Sequence, residues 1–194
     1  MGFTMARLVS LFLISILILL IGFQLDAEEY KSPVYTQYVA EITRSFSEQM
    51  KKEFSIDCIG SGGSMPYDVE DISIKFVAYQ RATIEEARAL EVKVTERLVQ
   101  MINAHEKIRP FLKENPFPYY RTKVGISFYK RNNSPYLDGS VAYVSQVNSK
   151  IYYRAENPDN PDIYNQIKDE PYEEALKIVQ NNSEKNTPPQ SKNI

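Results

Sequence analysis

The residues best suited to chemistry fall within one stretch, DCIGSGGSMPYDVED, at positions 57–71. It contains the only cysteine of the chain, Cys58, and three of its seven glycines. A cysteine becomes a nucleophile when a nearby base takes its proton and amide groups stabilise the developing negative charge. Because the only histidine is His105, these two residues are the candidate catalytic pair of a hydrolase or transferase. The alternative is that Cys58 is a small apolar residue at a strand end.

The glycines at positions 60, 62 and 63 suggest either a phosphate-binding loop or a tight turn. Phosphate loops lead into a helix N-terminus, and a P-loop adds Lys followed by Ser or Thr. Here SMPYDVED follows, which has no lysine and ends in carboxylates that would repel phosphate. The pattern therefore favours a glycine turn with positive φ angles over a nucleotide site.

Three acidic residues at the end of this stretch, Asp68, Glu70 and Asp71, are the candidate metal ligands. Calcium takes several oxygen ligands from a flexible loop, but the spacing does not match an EF-hand. The alternative is a solvated acidic loop, which requires no ion. We expect no metal and no cofactor.

Tyrosine is the most biased residue type, with fourteen tyrosines and no tryptophan. Tyrosine offers rigid, amphipathic contact area and is enriched at protein interfaces. The candidate binding residues are those on or beside the strands predicted below: Tyr119, Tyr120, Tyr129, Tyr136 and Tyr152. The alternative is that they cover a half-buried sheet. The net charge of -2 indicates no basic surface, so we expect no nucleic-acid partner.

The elements that must position these residues are helices and strands in alternation. Apolar residues recur at helical spacing over residues 33–54, and TIEE at 83–86 is a capping box that begins a second helix. ISIKFVAYQ, TKVGISFYK, VAYVSQV and IYYRA alternate as strands, and the last three predict an antiparallel meander. Pro171 begins a final helix. We expect an α+β fold, an antiparallel sheet of four to five strands with helices packed on one face.

An apolar run at residues 8–25 precedes this domain. It contains no charge and measures roughly 27 Å as a helix, enough to span a bilayer core. Arg7 before it, and Asp26, Glu28 and Glu29 after it, place the N-terminus in the cytoplasm. LDA at 25–27 is a poor cleavage site, which favours an uncleaved signal anchor over a cleaved signal peptide. We expect an anchor at 1–27, one exported domain at 33–180 and a disordered tail at 181–194.

The stretches TIEEARAL, HEKIRPFLKENPFPYY and DEPYEEALKIV resemble those of exported or membrane-anchored proteins of Chlamydiae and related bacteria. The resemblance implies a bacterial inner-membrane protein with an extracytoplasmic domain, and it transfers no catalytic residue. We expect a non-enzymatic envelope protein that binds a partner protein, peptide or envelope polymer. The alternatives are a Cys58-dependent hydrolase or transferase, and a secreted effector after signal cleavage.

Overall fold

The computed structural model describes residues 32–185, which form three α-helices and six strands. In chain order these are α1 (Val34–Phe54), β1 (Ile56–Ser64), β2 (Asp71–Ala78), α2 (Ile84–Ala104), β3 (Thr122–Phe128), β4 (Tyr143–Val147), β5 (Lys150–Glu156), β6 (Tyr164–Pro171) and α3 (Tyr172–Lys185). No helix in this range is long and apolar enough to cross a membrane. The predicted anchor at residues 8–25 lies outside the described residues. The predicted disordered tail at residues 181–194 is described only as far as Lys185, and α3 extends past Asn181 into it.

The strands form one sheet in the order β1-β2-β3-β4-β5-β6. Every neighbouring pair is antiparallel except β2 and β3, which are parallel. The predicted α+β fold and the β3-β4-β5 meander are confirmed. The prediction of an entirely antiparallel sheet of four to five strands is wrong. The helical connection through α2 returns the chain to the same end of the sheet, which makes the β2/β3 pair parallel.

The glycine-rich segment is a strand and not a turn. Gly60, Gly62 and Gly63 all pair with β2, and Gly139 is the only described glycine with a positive φ angle. The prediction of a positive-φ glycine turn is therefore wrong. Gly63 has a different requirement, because a Cβ there would lie 2.2 Å from the backbone carbonyl oxygen of Asp71. At this position glycine permits close approach of two backbones.

All three described helices pack on one face of the sheet. α1 contacts β1, α2 contacts β3 and β4, and α3 contacts β5 and β6, while α2 also contacts both other helices. The ring of Phe46 on α1 lies 5.8 Å from that of Phe76 on β2. The predicted capping box of α2 is present: Thr83 Oγ1 accepts from the Glu86 amide at 3.2 Å, and Glu86 Oε2 accepts from the Thr83 amide at 2.9 Å.

The side chains of each strand point alternately to this helix-covered face and to the opposite face of the sheet. Most core-facing positions are apolar and almost fully buried, as at Ile74, Ile126, Val144 and Ile151. The residues between them point away from the helices because side chains of a strand alternate between the two faces. This second face of the sheet therefore has no described helix over it.

Candidate binding surface

Cys58 and His105 lie on different elements and do not hydrogen-bond to each other. Cys58 is exposed on β1, and its thiol lies 3.7 Å from the Gly60 carbonyl oxygen. His105 caps the C-terminus of α2, where its ring lies 5.6 Å from that of Tyr38 and its Nε2 lies 3.7 Å from a Glu41 carboxylate oxygen. The contacts of His105 are thus with α1, and no described contact supplies Cys58 with a base.

The three candidate metal ligands contact lysines. The Lys113 ammonium lies 3.4 Å from Glu70 Oε1 and 3.8 Å from Asp68 Oδ2. The Lys123 ammonium lies 2.8 Å from Asp71 Oδ2. Within the described part of the chain, no group of three or more Asp, Glu, His or Cys side chains could hold a metal ion. The two lysines offset most of the negative charge of these three carboxylates.

The five candidate tyrosines lie in three regions. Tyr119 stacks on Tyr172 at 4.4 Å between ring centroids, and the Tyr120 hydroxyl donates to Glu114 at 2.5 Å. Both therefore belong to the connection that enters β3. Tyr136 lies in the loop between β3 and β4, with the Lys130 ammonium 5.5 Å from its ring. Only Tyr152 and Tyr129 lie on or beside strands at positions that face away from the helices.

The face without a described helix carries four tyrosines and one arginine that we call the tyrosine face: Tyr129, Tyr143, Tyr152, Tyr164 and Arg154. The rings of Tyr143 and Tyr164 stack with 6.1 Å between centroids and an interplanar angle of 20°. The Arg154 guanidinium lies 5.3 Å from the centroid of Tyr152 and donates to Asp169 at 2.6 Å. The cluster spans β3 to β6, and its rings are half-buried or exposed.

Gly125 makes room for one of these rings against the sheet. Tyr143 lies across Gly125 of β3, where an added Cβ would come within 2.5 Å of the tyrosine hydroxyl. The pKa of Tyr164 is raised to about 12, mainly by partial burial and to a smaller extent by the nearby Tyr129 and Glu156. Tyr164 therefore stays a neutral hydrogen-bond donor at physiological pH. The cluster is an ordered surface of rings and hydroxyls next to one guanidinium.

Sequence reasoning identified part of this surface. Tyr143 and Tyr152 alternate with the buried Val144, Ile151 and Tyr153, and this period-2 pattern is readable in YVSQVNSKIYY. Tyr164 was missed because β6, with the sequence YNQIKDEP, has almost no buried side chain and no apolar alternation. Its place in the sheet comes from pairing with β5.

Sequence reasoning also missed a buried ionic cluster on the helix-covered face. Arg88 of α2 donates to both carboxylate oxygens of Glu170, at 2.7 and 3.1 Å. The Tyr153 hydroxyl and the Lys168 ammonium donate to the same carboxylate. Burial alone would raise the pKa of Glu170, but these hydrogen bonds outweigh it and lower the pKa. Only 5% of Arg88 is exposed, and arginine is rarely buried without such a partner.

A second buried acid, Glu91, lies one turn further along α2. Its Oε1 accepts from the Gln146 amide of β4 at 2.9 Å. Its Oε2 has no hydrogen-bond partner, and neither have Thr95 Oγ1 and Gln146 Nε2. Burial raises the pKa of Glu91 to about 8. This carboxyl group is thus mainly protonated at neutral pH and links α2 to the sheet without a charge.

Comparisons with protein-family models, with curated proteins and with solved structures returned no match. The resemblance to envelope proteins therefore stays a prediction. The class that the geometry defines is an α+β domain with helices on one face of a mixed sheet and aromatic side chains on the other.

Proposed function

We propose that this domain is a non-enzymatic binding module of a membrane-anchored cell-envelope protein, which holds a partner protein, peptide or envelope polymer on the tyrosine face. The observation that carries the proposal is the ordered set of rings on the face that has no described helix over it. In a small domain, an aromatic cluster that faces away from the core provides contact area for another molecule.

The tyrosine face has the chemistry of a contact surface. Tyrosine rings supply apolar area with little conformational freedom to lose, and their hydroxyls hydrogen-bond. The ion pair with Asp169 already orders the Arg154 guanidinium, so this side chain loses little conformational entropy when a partner binds. Arginine and tyrosine are among the residue types that most often dominate binding energy at interfaces. A partner that offers flat apolar or sugar-like surface with acceptor groups fits this face.

The cellular setting is proposed from the sequence. The apolar run at residues 8–25 supports a single inner-membrane span, with the domain on the extracytoplasmic side. A non-enzymatic role is supported by the contacts of the candidate catalytic residues. Cys58 has no described base beside it, and His105 contacts Tyr38 and Glu41 instead.

Site-specific photo-crosslinking in intact cells tests the proposal. A benzophenone amino acid replaces Tyr152 or Tyr164, one at a time, in the full chain. Tyr67 is the matched control because it is 91% exposed and lies in the loop before β2, away from the tyrosine face. We expect the same adduct from both face positions and none from Tyr67.

A further variant tests whether the adduct requires the face. Arg154→Ala removes the guanidinium beside Tyr152 and should reduce the Tyr164 adduct at least fivefold. Equal adduct yields from position 67 and from both face positions would refute the proposal. Such a result is expected when neighbouring proteins collide with the domain at random and no surface is preferred. Absence of any adduct at the face positions in cells that express the chain at native level would refute it as well.

A further inference from the structure

The sheet has two edge strands, and β1 is the one with an accessible backbone. It is first in the strand order, and no described strand pairs with its outer side. An edge strand presents unpaired N–H and C=O groups that can pair with another strand. Residues 60–64 of β1 carry only glycine and serine, so small side chains leave the backbone uncovered.

The other edge strand, β6, carries features that block strand addition. Proteins protect edges with charged side chains, proline and bulges. β6 contains Lys168, Asp169 and Pro171, and its pairing with β5 shifts register. The register shift in β1 lies before Gly60, and no charge or proline occurs over residues 60–64. The protecting features are therefore concentrated on one edge, and β1 is open to a further strand.

A groove of about 390 Å³ runs between β1 and the outer flank of α1. It is lined by residues three or four positions apart on the helix and by two residues of the strand: Thr36, Val39, Ala40, Thr43, Arg44, Ser47, Ser61 and Gly62. The opposite flank of α1, at Glu41 and Ser45, faces α2. The hydroxyls of Thr43 and Ser47 donate to carbonyls of their own helix, at 2.9 and 2.6 Å. Small side chains thus leave space beside the strand.

Arg44 is the only charged residue among the described residues of this lining. It is exposed, and no ion pair or hydrogen bond to another described residue holds its guanidinium. The other described residues of the groove are uncharged, so no described carboxylate of the groove neutralises it. A guanidinium binds a carboxylate through two parallel hydrogen bonds and prefers this geometry to a single contact. The groove therefore favours a ligand with a carboxylate group.

We propose that the groove between β1 and α1 binds an extended peptide segment of a partner protein, which pairs with β1 as an added strand and places a carboxylate against Arg44. Backbone pairing with an exposed strand next to a helix is a known mode of peptide recognition. This site is separate from the tyrosine face and goes beyond the function proposed there. A second copy of this chain would bring a second Arg44 to the same edge, and like charges disfavour that pairing.

Selection of phage-displayed random peptides on the full chain provides the probe. The most enriched peptide is synthesised, and its Kd is measured by fluorescence polarisation. We expect enriched peptides to contain Asp, Glu or a required free C-terminus. Arg44→Glu should weaken binding at least tenfold, and so should Ala40→Gln, which fills the groove without adding charge. Lys52→Glu on the same helix lies outside the groove and should leave the Kd unchanged.

Amide hydrogen exchange shows where the peptide binds. Exchange in β1 should slow when the peptide is added, and exchange in β6 should not change. The proposal is overturned if no peptide is enriched, or if the enriched peptide binds the Arg44→Glu and Ala40→Gln variants as it binds the wild type. It is also overturned if the wild-type chain is a dimer that Ser61→Lys dissociates, or if β1 amides are fully protected without peptide, since the edge is then occupied by the chain itself.

Discussion

The buried carboxyl group of Glu91 should make the stability of this domain fall as pH rises. Its pKa is about 8 in the folded state against 4.5 for an ordinary glutamic acid, because burial disfavours the charged form. Between these two values the folded state holds one more proton than the unfolded state. The stabilising contribution is therefore complete below pH 4.5 and is lost as pH rises through 8.

The size of the effect follows from the two pKa values. One pKa unit corresponds to about 1.4 kcal/mol, so the free energy of unfolding should decrease by about 3 to 4 kcal/mol between pH 5 and 8. A domain of this size has a total stability of about 5 to 15 kcal/mol, so the loss is large. The charged groups nearby do not titrate in this window: the pKa of Glu170 is lowered and that of Arg88 is raised. The pKa values of Tyr143, Tyr153 and Tyr172 are raised as well.

Glu91→Gln is the decisive variant. It keeps the shape of the side chain and an oxygen for the Gln146 amide, but it removes the titrating proton. Urea unfolding of the full chain in a non-ionic detergent, followed by far-UV circular dichroism, gives the free energy of unfolding at pH 5, 6, 7 and 8. We expect a steep decline for the wild type and a nearly flat profile for the variant. Glu85→Gln, an exposed acid on the same helix, should retain the wild-type slope.

Two results would refute this reasoning. A wild-type stability that is constant between pH 5 and 8 would show that Glu91 is not protonated in the folded state. An unchanged slope in the Glu91→Gln variant would show that another group carries the titration.

Two further predictions concern the core and can be measured by urea unfolding. Arg88→Met should lower the free energy of unfolding by about 3 to 5 kcal/mol because it leaves the buried Glu170 carboxylate without its bidentate partner. The double variant Arg88→Met/Glu170→Leu should recover most of that loss, and failure to recover it would contradict the ion-pair explanation. Phe46→Ala should cost about 3 to 5 kcal/mol because the fully buried ring contacts Phe76; a cost under about 1 kcal/mol would mean that α1 does not pack on the sheet as described.

The helix starts and the central strands were predictable because their signals are local. The capping box at Thr83, the apolar stripe of α1 and the alternation in β2 to β5 depend on residues a few positions apart. Each of these segments has one apolar face, and burying that face requires the same element in almost any tertiary context. The helices on one face of the sheet follow from the same amphipathic patterns.

The full extent of the two edge strands and part of the tyrosine face were not predictable in this way. β1 is a strand despite its glycines and β6 despite its polar sequence, because each pairs with a regular neighbour. The stacked rings of Tyr143 and Tyr164 meet only because β4, β5 and β6 lie side by side.

The sequence by itself determined the amphipathic helices, the alternating central strands and the apolar N-terminal run. The tertiary structure decided the parallel β2/β3 pair, the open edge at β1, the tyrosine face and the burial of Arg88 and Glu91. The physical reason is the range of the interactions. Caps and periodic patterns act over one or two turns, whereas strand pairing, desolvation and the Arg88–Glu170 ion pair join residues as many as 82 positions apart.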